Sequence, residues 1–212
     1  MPQSLILYTN PNSRGRLVRW MLEEIGQPYD TVLVDYGPPM KTPDYSAINP
    51  MTKVPALRHG DAVVTEAAAI CAYLADVFPE AGLAPPPDRR GDYYRWLFFG
   101  AGCVDPALTA RAMGLEPPAD KAPMVGFGSV DLVLDTLDGA LQRQPFLAGE
   151  TLTAADIYVG SQIGWGMSFF GTIQPRDSFQ AYWQRLADRD AFKRATALDD
   201  AALPKDDHAV PQ

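Results

Sequence analysis

Residues 4–34, SLILYTNPNSRGRLVRWMLEEIGQPYDTVLV, decide the architecture of the first part of the chain. Residues 4–8 form an apolar run of the length of a buried strand, and Asn10-Pro11-Asn12-Ser13 after it carries loop chemistry. In RGRLVRWMLEEIG the apolar Leu17, Trp20, Met21 and Ile25 recur at helical spacing, and Gly26 stands where a helix stops. Residues 29–34 then read as a second strand. A strand, a helix and a strand in that order imply a right-handed crossover and a parallel pair.

Further along, GPPMKTPDYSAINP (37–50) reads as a Pro-rich loop. Residues 54–58 and 62–64 read as an antiparallel hairpin around His59-Gly60-Asp61, a tight-turn signal. Thr65 is placed to cap a helix running AAAICAYLADVF, in which Ile70, Tyr73, Leu74 and Phe78 share a face. The order βαβ then ββα predicts a four-stranded mixed sheet flanked by helices, an α/β domain of the thioredoxin-like kind over residues 1–78.

The character of the chain then changes. PEAGLAPPPDRR (79–90) has four prolines in twelve residues, which favours an extended segment and marks a linker over 79–88. Beyond it the stretches 93–108, 122–144, 153–170 and 179–195 all show helical spacing and none reads as a strand, so residues 89–198 are expected to form an all-α domain. Residues 199–212, DDAALPKDDHAVPQ, are acidic and poor in apolar side chains, and read as a loosely held tail.

Composition excludes several functions. The 212 residues carry 18 Lys+Arg against 26 Asp+Glu, a net charge of −8. That balance speaks against nucleic acid and against an anionic membrane as partners, since both require clustered cations. Two Cys, at 71 and 103, and two His are too few for a disulfide framework or a Cys-rich zinc site, so no metal is expected. With no secretory leader pattern in MPQSLILYTNPNSRGR and no apolar run of about 18 residues, the chain is expected to be soluble, unprocessed and cytoplasmic.

Three segments carry chemistry. In a thioredoxin-like domain the loop TNPNSRG lies at a helix N-terminus, where unpaired N–H groups and the helix dipole favour an anion such as a thiolate. Redox members of that fold place Cys-x-x-Cys there; this chain has Asn12-Ser13-Arg14-Gly15, so it lacks a dithiol and a disulfide-reductase mechanism is ruled out. A hydroxyl at this point can donate to a thiolate brought by a ligand, or can simply cap the helix. In NPMTKVPAL, a cis Val54–Pro55 bond would turn the Val54 backbone towards an extended peptide, while an ordinary edge-strand proline reads the same way in sequence. In VTEAAAI, Glu66 opens a helix whose first N–H groups can hold a carboxylate while the Glu66 side chain pairs with an ammonium; an acid placed for the dipole is the plainer alternative. The three in this order are far more specific than any one.

Together these segments resemble the glutathione transferases, in the order LYTNPNSRGRLVRWMLEEIG, INPMTKVPAL, VVTEAAAICAYLADVFP, the Pro-rich linker, and FLAGETLTAADIYV, whose Thr153 and Asp156 form a Thr-x-x-Asp capping box. The resemblance implies a homodimeric transferase of detoxification type, with glutathione on the first domain and a small apolar electrophile as co-substrate. It implies that the Val54 backbone, set by cis-Pro55, pairs with the cysteinyl part of glutathione. Glu66 and the Ala67 N–H take the γ-glutamyl head, and Lys53 or Lys41 the glycyl carboxylate. Ser13, Asn12 and Tyr8 are the candidate thiolate donors. Trp96, Phe99, Cys103 and Trp165 are candidates for the co-substrate pocket. Cys71 reads as an inert buried thiol, and Arg14 and Arg16 at the first helix either add positive potential at the thiolate or, the plainer reading, are solvated surface arginines. One departure stands out: the family usually has Ser or Thr after Glu66, and Ala67 has no hydroxyl. A lost hydrogen bond to a charge costs roughly 1.5–3 kcal/mol unless a neighbour such as Thr65 replaces it. The departure keeps a second reading open, a non-catalytic binding or regulatory protein on the same scaffold. Glutathione-dependent isomerase, dehalogenase and peroxidase variants use that scaffold too.

Overall fold

The computed structural model describes residues 4–204. Strand β1 (Leu5–Thr9) leads through the loop 10–14 into helix α1 (Gly15–Ile25) and strand β2 (Asp30–Leu33). The two strands are parallel, with Ile6 opposite Asp30 and Thr9 opposite Leu33. Gly26 ends α1 at φ 72, its N–H returning to the Leu22 carbonyl, a left-handed conformation that costs a side chain but not glycine. Strands β3 (Ala56–His59) and β4 (Ala62–Thr65) form the hairpin, turning at Gly60-Asp61. β3 also pairs antiparallel with β1, which gives the order β2-β1-β3-β4, a thioredoxin-like sheet.

The sheet is covered on both faces. Alternation sends Ile6 and Tyr8 to one side, where Tyr8, Val34, Met40, Tyr45 and Ala56 form a buried cluster with Ile6, Ile48 and Val54 around it. Part of that cover is helix α2 (Pro43–Ile48), within the stretch expected to be loop. Thr42 caps it by accepting from the Tyr45 N–H, and Pro43 at its first position needs no N–H partner. Leu5 and Leu7 lie on the opposite face, with α1 and helix α3 (Ala67–Val77), which pack on each other. Thr65 does not cap α3: it is the last residue of β4, and Glu66 holds the capping position without a side-chain bond.

A second compact unit spans Gly82–Asp188. Its helices are α4 (Gly91–Phe99), α5 (Asp105–Ala112), α6 (Val130–Leu141), α7 (Ala154–Ser168) and α8 (Asp177–Ala187). A π-helical segment, Gly100–Val104, joins α4 to α5, and it lies where a Cβ on Gly100 would come within 2.7 Å of Val159 and 2.8 Å of Tyr158 in α7. Apart from an isolated bridge between Phe146 and Gly149, its described residues contain no strand pairing. Two expected helices change shape. The helical stretch 122–144 holds a 3-10 turn at Ala122–Met124 and becomes an α-helix only from Val130, because Gly128 at φ 65 breaks the path and Ser129 caps a new start on the Leu132 N–H. The stretch 179–195 is divided between α8 and helix α9 (Asp190–Ala201).

Helix α9 belongs with the first unit, which comprises residues 4–81 and 189–204. It packs along α1 instead of joining the other helices of the all-α domain. Trp20 meets Phe192 edge-on at 5.0 Å, and Arg189 grips Glu24 through two bonds of 2.6 and 2.7 Å. Arg19 and Asp199 form a buried pair at 2.8 Å, with Asp199 1% exposed. The expected tail therefore begins later than residue 199: α9 continues to Ala201, and residues 205–212 lie outside the described residues.

Candidate active site

Register brings the three chemistry-bearing segments to one end of the sheet, the edge at which β1 and β4 finish and β3 begins. Tyr8 stands opposite Ala56, and Ala56 opposite Thr65. The loop after β1, the Val54-Pro55 pair before β3 and Glu66 after β4 consequently leave the sheet side by side. Two strand spacings make that edge about 10 Å wide, the size of a tripeptide.

The loop 10–14 is built around Asn10. Its Nδ2 donates to the Val34 carbonyl at 3.1 Å, its Oδ1 accepts from the Asn12 N–H at 3.0 Å, and its carbonyl accepts from both the Ser13 N–H (3.0 Å) and the Ser13 hydroxyl (2.7 Å). Ser13 Oγ in turn accepts from the Gly15 N–H at 2.9 Å, so the resting hydroxyl serves the first turn of α1. Gly15 tolerates no side chain, since a Cβ there would lie 1.8 Å from Thr9 Oγ1. Asn12 is exposed and Ser13 half-buried. Tyr8 is 8% exposed, its ring 6.0 Å from that of Tyr45 in the cluster beneath the sheet.

The segment before β3 is held from behind. The Lys53 carbonyl accepts from Tyr45 Oη and Asn49 Nδ2, both at 2.7 Å, Thr52 adopts φ 50, and the Val54–Pro55 bond is cis. The side chains of Lys41 and Lys53 are exposed, and Val54 is half-buried. Across the edge, Glu66 sits at φ 68, ψ 115, a conformation that costs a side-chain-bearing residue of order 1–3 kcal/mol and persists only when its surroundings enforce it. Its carbonyl accepts from Ile70 N–H at 2.9 Å, its side chain is exposed, and Ala67 after it is buried.

The four pocket candidates belong to the helical unit. Trp96 is core, 2% exposed and edge-on to Phe99 at 5.6 Å. Phe99, Cys103 and Trp165 are half-buried. Cys103 lies in the π-helical segment with its Sγ donating to the Gly126 carbonyl at 3.6 Å, and burial raises its thiol pKa. Cys71 is fully buried in α3, which pushes its thiol far above the usual range.

Several contributors escape sequence reading. Arg16 is not merely solvated: its guanidinium donates to the Pro11 carbonyl and pairs with Asp200 at 2.7 Å. Tyr36, 56% exposed, donates to the Asn12 carbonyl at 3.0 Å. Burial raises its phenol pKa above 10.0, with Arg14 and Ser13 pulling it down. Tyr45 and Asn49 act on a backbone carbonyl, and a tyrosine or asparagine in a loop announces no such target beforehand.

Comparison with known proteins finds relatives for both units of the chain. The glutathione S-transferase N-terminal domain matches residues 14–77 and the glutathione S-transferase C-terminal domain residues 105–190. Glutathione S-transferase F10 of Arabidopsis thaliana is 28% identical, over 83% of this chain and 88% of that protein. Glutathione S-transferase GstA of Escherichia coli O157:H7 is 27% identical, over 91% of this chain and 98% of its own length. A glutathione transferase family member from Pseudomonas fluorescens, solved with two glutathione bound, superposes with a TM-score of 0.77 at 27% identity, covering 92% of this chain and 93% of that one. The chain belongs to the glutathione S-transferase family and is, with it, a transferase. Among the described residues no helix is long and apolar enough to cross a membrane.

Proposed function

We propose that this protein is a glutathione transferase that binds glutathione along the edge formed by the loop 10–14, Val54 and Glu66, stabilises its thiolate with the Ser13 hydroxyl, and directs it onto an electrophilic carbon of a small apolar molecule. The single observation that carries the reading is the alignment of Tyr8, Ala56 and Thr65, which sets the three segments beside one another. In this reading the Val54 backbone pairs with the cysteinyl unit. Glu66 takes the γ-glutamyl ammonium and the Ala67 N–H its carboxylate, and Lys41 or Lys53 meets the glycyl end.

The energetics are of the required order. Free thiol with a pKa of about 8.5 is about 3% ionised at pH 7, and lowering it by about two units requires about 2.7 kcal/mol. Ser13 Oγ–H now donates to a neutral carbonyl, and turning it to a thiolate exchanges a bond of about 0.5–1.5 kcal/mol for one of about 1.5–3 kcal/mol. The α1 N-terminus adds roughly 0.3–2 kcal/mol. Asn12 is the exposed alternative donor on the same loop. Burial of Tyr8 among Val34, Met40 and Tyr45 argues against the third candidate. Phe99, Cys103 and Trp165, half-buried, supply apolar surface for the electrophile, whereas Trp96 is held in the core and drops out of the candidate pocket, and we place the working enzyme in the cytoplasm as a homodimer in detoxification.

Ala67 favours a second reading, a glutathione-binding or regulatory protein without turnover, because the γ-glutamyl carboxylate would lack a hydroxyl donor at that position. Calorimetric titration with glutathione, followed by ultraviolet difference absorbance of the bound thiolate against pH, separates the two. A bound thiol pKa of about 6–7 supports the transferase. Binding with an unshifted thiol supports the second reading, and no binding at millimolar glutathione removes both.

A further inference from the structure

Two consecutive peptide planes of the loop 10–14 are each held at both edges. In the plane joining Pro11 to Asn12, the carbonyl accepts from Arg16 Nε while the N–H donates to Asn10 Oδ1 at 3.0 Å. In the next plane, the Asn12 carbonyl accepts from the Tyr36 hydroxyl at 3.0 Å while the Ser13 N–H donates to the Asn10 carbonyl at 3.0 Å. A planar peptide unit pinned at its C=O and its N–H cannot rotate about its flanking bonds without breaking one of them. The second of these planes carries the Ser13 nitrogen, so it bears on where the Ser13 side chain leaves the backbone, and the bonds of Ser13 Oγ to the Asn10 carbonyl and the Gly15 N–H complete the placement.

One of the two outside grips is itself steered by α9. Arg16 spends its Nε on Pro11 and its Nη2 on Asp200 Oδ1, 2.7 Å away, and the flat guanidinium fork makes both bonds in one orientation. Asp199, the preceding residue of α9, buries its carboxylate against Arg19 one turn further along α1. Arg189–Glu24 and Arg194–Glu23 close the same two helices with the charges reversed. Helix α9 therefore arrives on α1 in one register, and that register delivers the Asp200 carboxylate to Arg16.

We infer that Arg16 and Tyr36 are positioning residues that fix the loop presenting Ser13, and that α9 takes part through Asp200, so that a helix from the far end of the chain helps to set the thiolate site. The chemical consequence rests on the glutathione reading; the restraint itself does not. Asp200 is 54% exposed and its ion pair lies at the surface, so Asp200→Ala folds and serves beside Arg16→Met, Arg16→Lys and Tyr36→Phe.

Two measurements test this. Backbone amide exchange of Asn12 and Ser13 in the ligand-free protein is expected to quicken about threefold or more in Asp200→Ala and Tyr36→Phe and about tenfold in Arg16→Met, with α3 unchanged and partial recovery in Arg16→Lys. Unchanged exchange at both amides in all these variants overturns the restraint, whatever the protein binds. With glutathione present, Arg16→Met is expected to raise the bound thiol pKa by about half a unit, about a threefold loss of thiolate at fixed pH, and the shift is expected to vanish when Ser13 is already Ala. A shift of equal size in the Ser13→Ala background overturns the positioning role in favour of a direct field from the guanidinium. Should the unaltered protein bind no glutathione, the functional reading fails and the exchange data still decide the restraint.

Discussion

Ser13 is the residue on which the proposed thiolate chemistry turns, half-buried in the loop before α1. The sequence places a hydroxyl just before a helix in a loop without Cys, which is enough to name it; the structure adds that its proton is directed at the Asn10 carbonyl and its lone pair at Gly15 N–H. Ser13→Ala is expected to raise the pKa of bound glutathione by about one unit or more, the loss of about 1.4 kcal/mol of thiolate stabilisation. Tyr8→Phe, in the buried cluster under the sheet, is expected to leave it unchanged. The reverse pattern in an absorbance titration would transfer the role to Tyr8. Ala67 poses a matching question: Ala67→Ser restores a donor where a carboxylate is expected and should tighten glutathione about tenfold, equivalent to about 1.4 kcal/mol. Calorimetry reads this directly, and an unchanged affinity would mean that the γ-glutamyl carboxylate does not lie there. Tyr36 was invisible as a site residue, and Arg16 was legible only as a source of positive potential or a surface arginine, because both act on backbone carbonyls, and a carbonyl's position follows from folding and not from residue type.

Among the elements, local signals were strong where they were short-ranged. Gly26 stops α1 and the Thr153–Asp156 box starts α7, each decided within a few residues of chain. In that box Asp156 accepts from the Thr153 N–H and hydroxyl, each at 2.8 Å, and also from the Leu147 N–H and the Tyr182 hydroxyl, two partners no local pattern names. The short α2 had a legible start, Thr42-Pro43, obscured by the prolines around it. Two element contacts yield predictions. Arg19→Met strands the Asp199 carboxylate in the α1–α9 interface, where its Oδ2 already lacks a partner, and should cost about 3–5 kcal/mol in urea unfolding. Adding Asp199→Leu should recover most of that loss, and a double variant as unstable as the single one would refute the account. In the helical unit, hydrogen bonding by Ser178, with Gln142 and Arg176, lowers the Asp138 pKa below 3.8 and ties α6 to α8. A depressed carboxylate stabilises the fold above its unfolded pKa and loses that contribution as pH falls through the folded value. Asp138→Asn is therefore expected to be less stable than the parent at neutral pH, with the difference shrinking as pH drops below 3.8. Thermal melts across that range provide the check.

For the molecule as a whole, the division into two units follows the composition shift near the Pro-rich linker, but residues 189–204 return to the first unit, so the thioredoxin-like unit is assembled from two stretches far apart in sequence. Such a unit completes its packing only once α9 has been made, and its longest-range contacts join residues more than 160 positions apart, as between Glu24 and Arg189. Homodimerisation belongs to this scale as well. Light scattering is expected to return the mass of two chains, and a mass of one chain would remove the dimer from the functional proposal.

Legible in the chain alone were the βαβ–ββα order of the first unit without α2 and α9, the helical character of the second, the family, and the three segments from which a glutathione site would be built. These depend on periodicity, on Gly and Pro, and on capping residues, all of which act over a few positions of chain. It took the folded chain to place α9 against α1, to give Glu66 a left-handed backbone, and to bring Arg16 and Tyr36 onto the loop holding Ser13. Those outcomes depend on which distant groups meet, and an amphipathic or charged pattern states that a helix has a face to bury without stating against what.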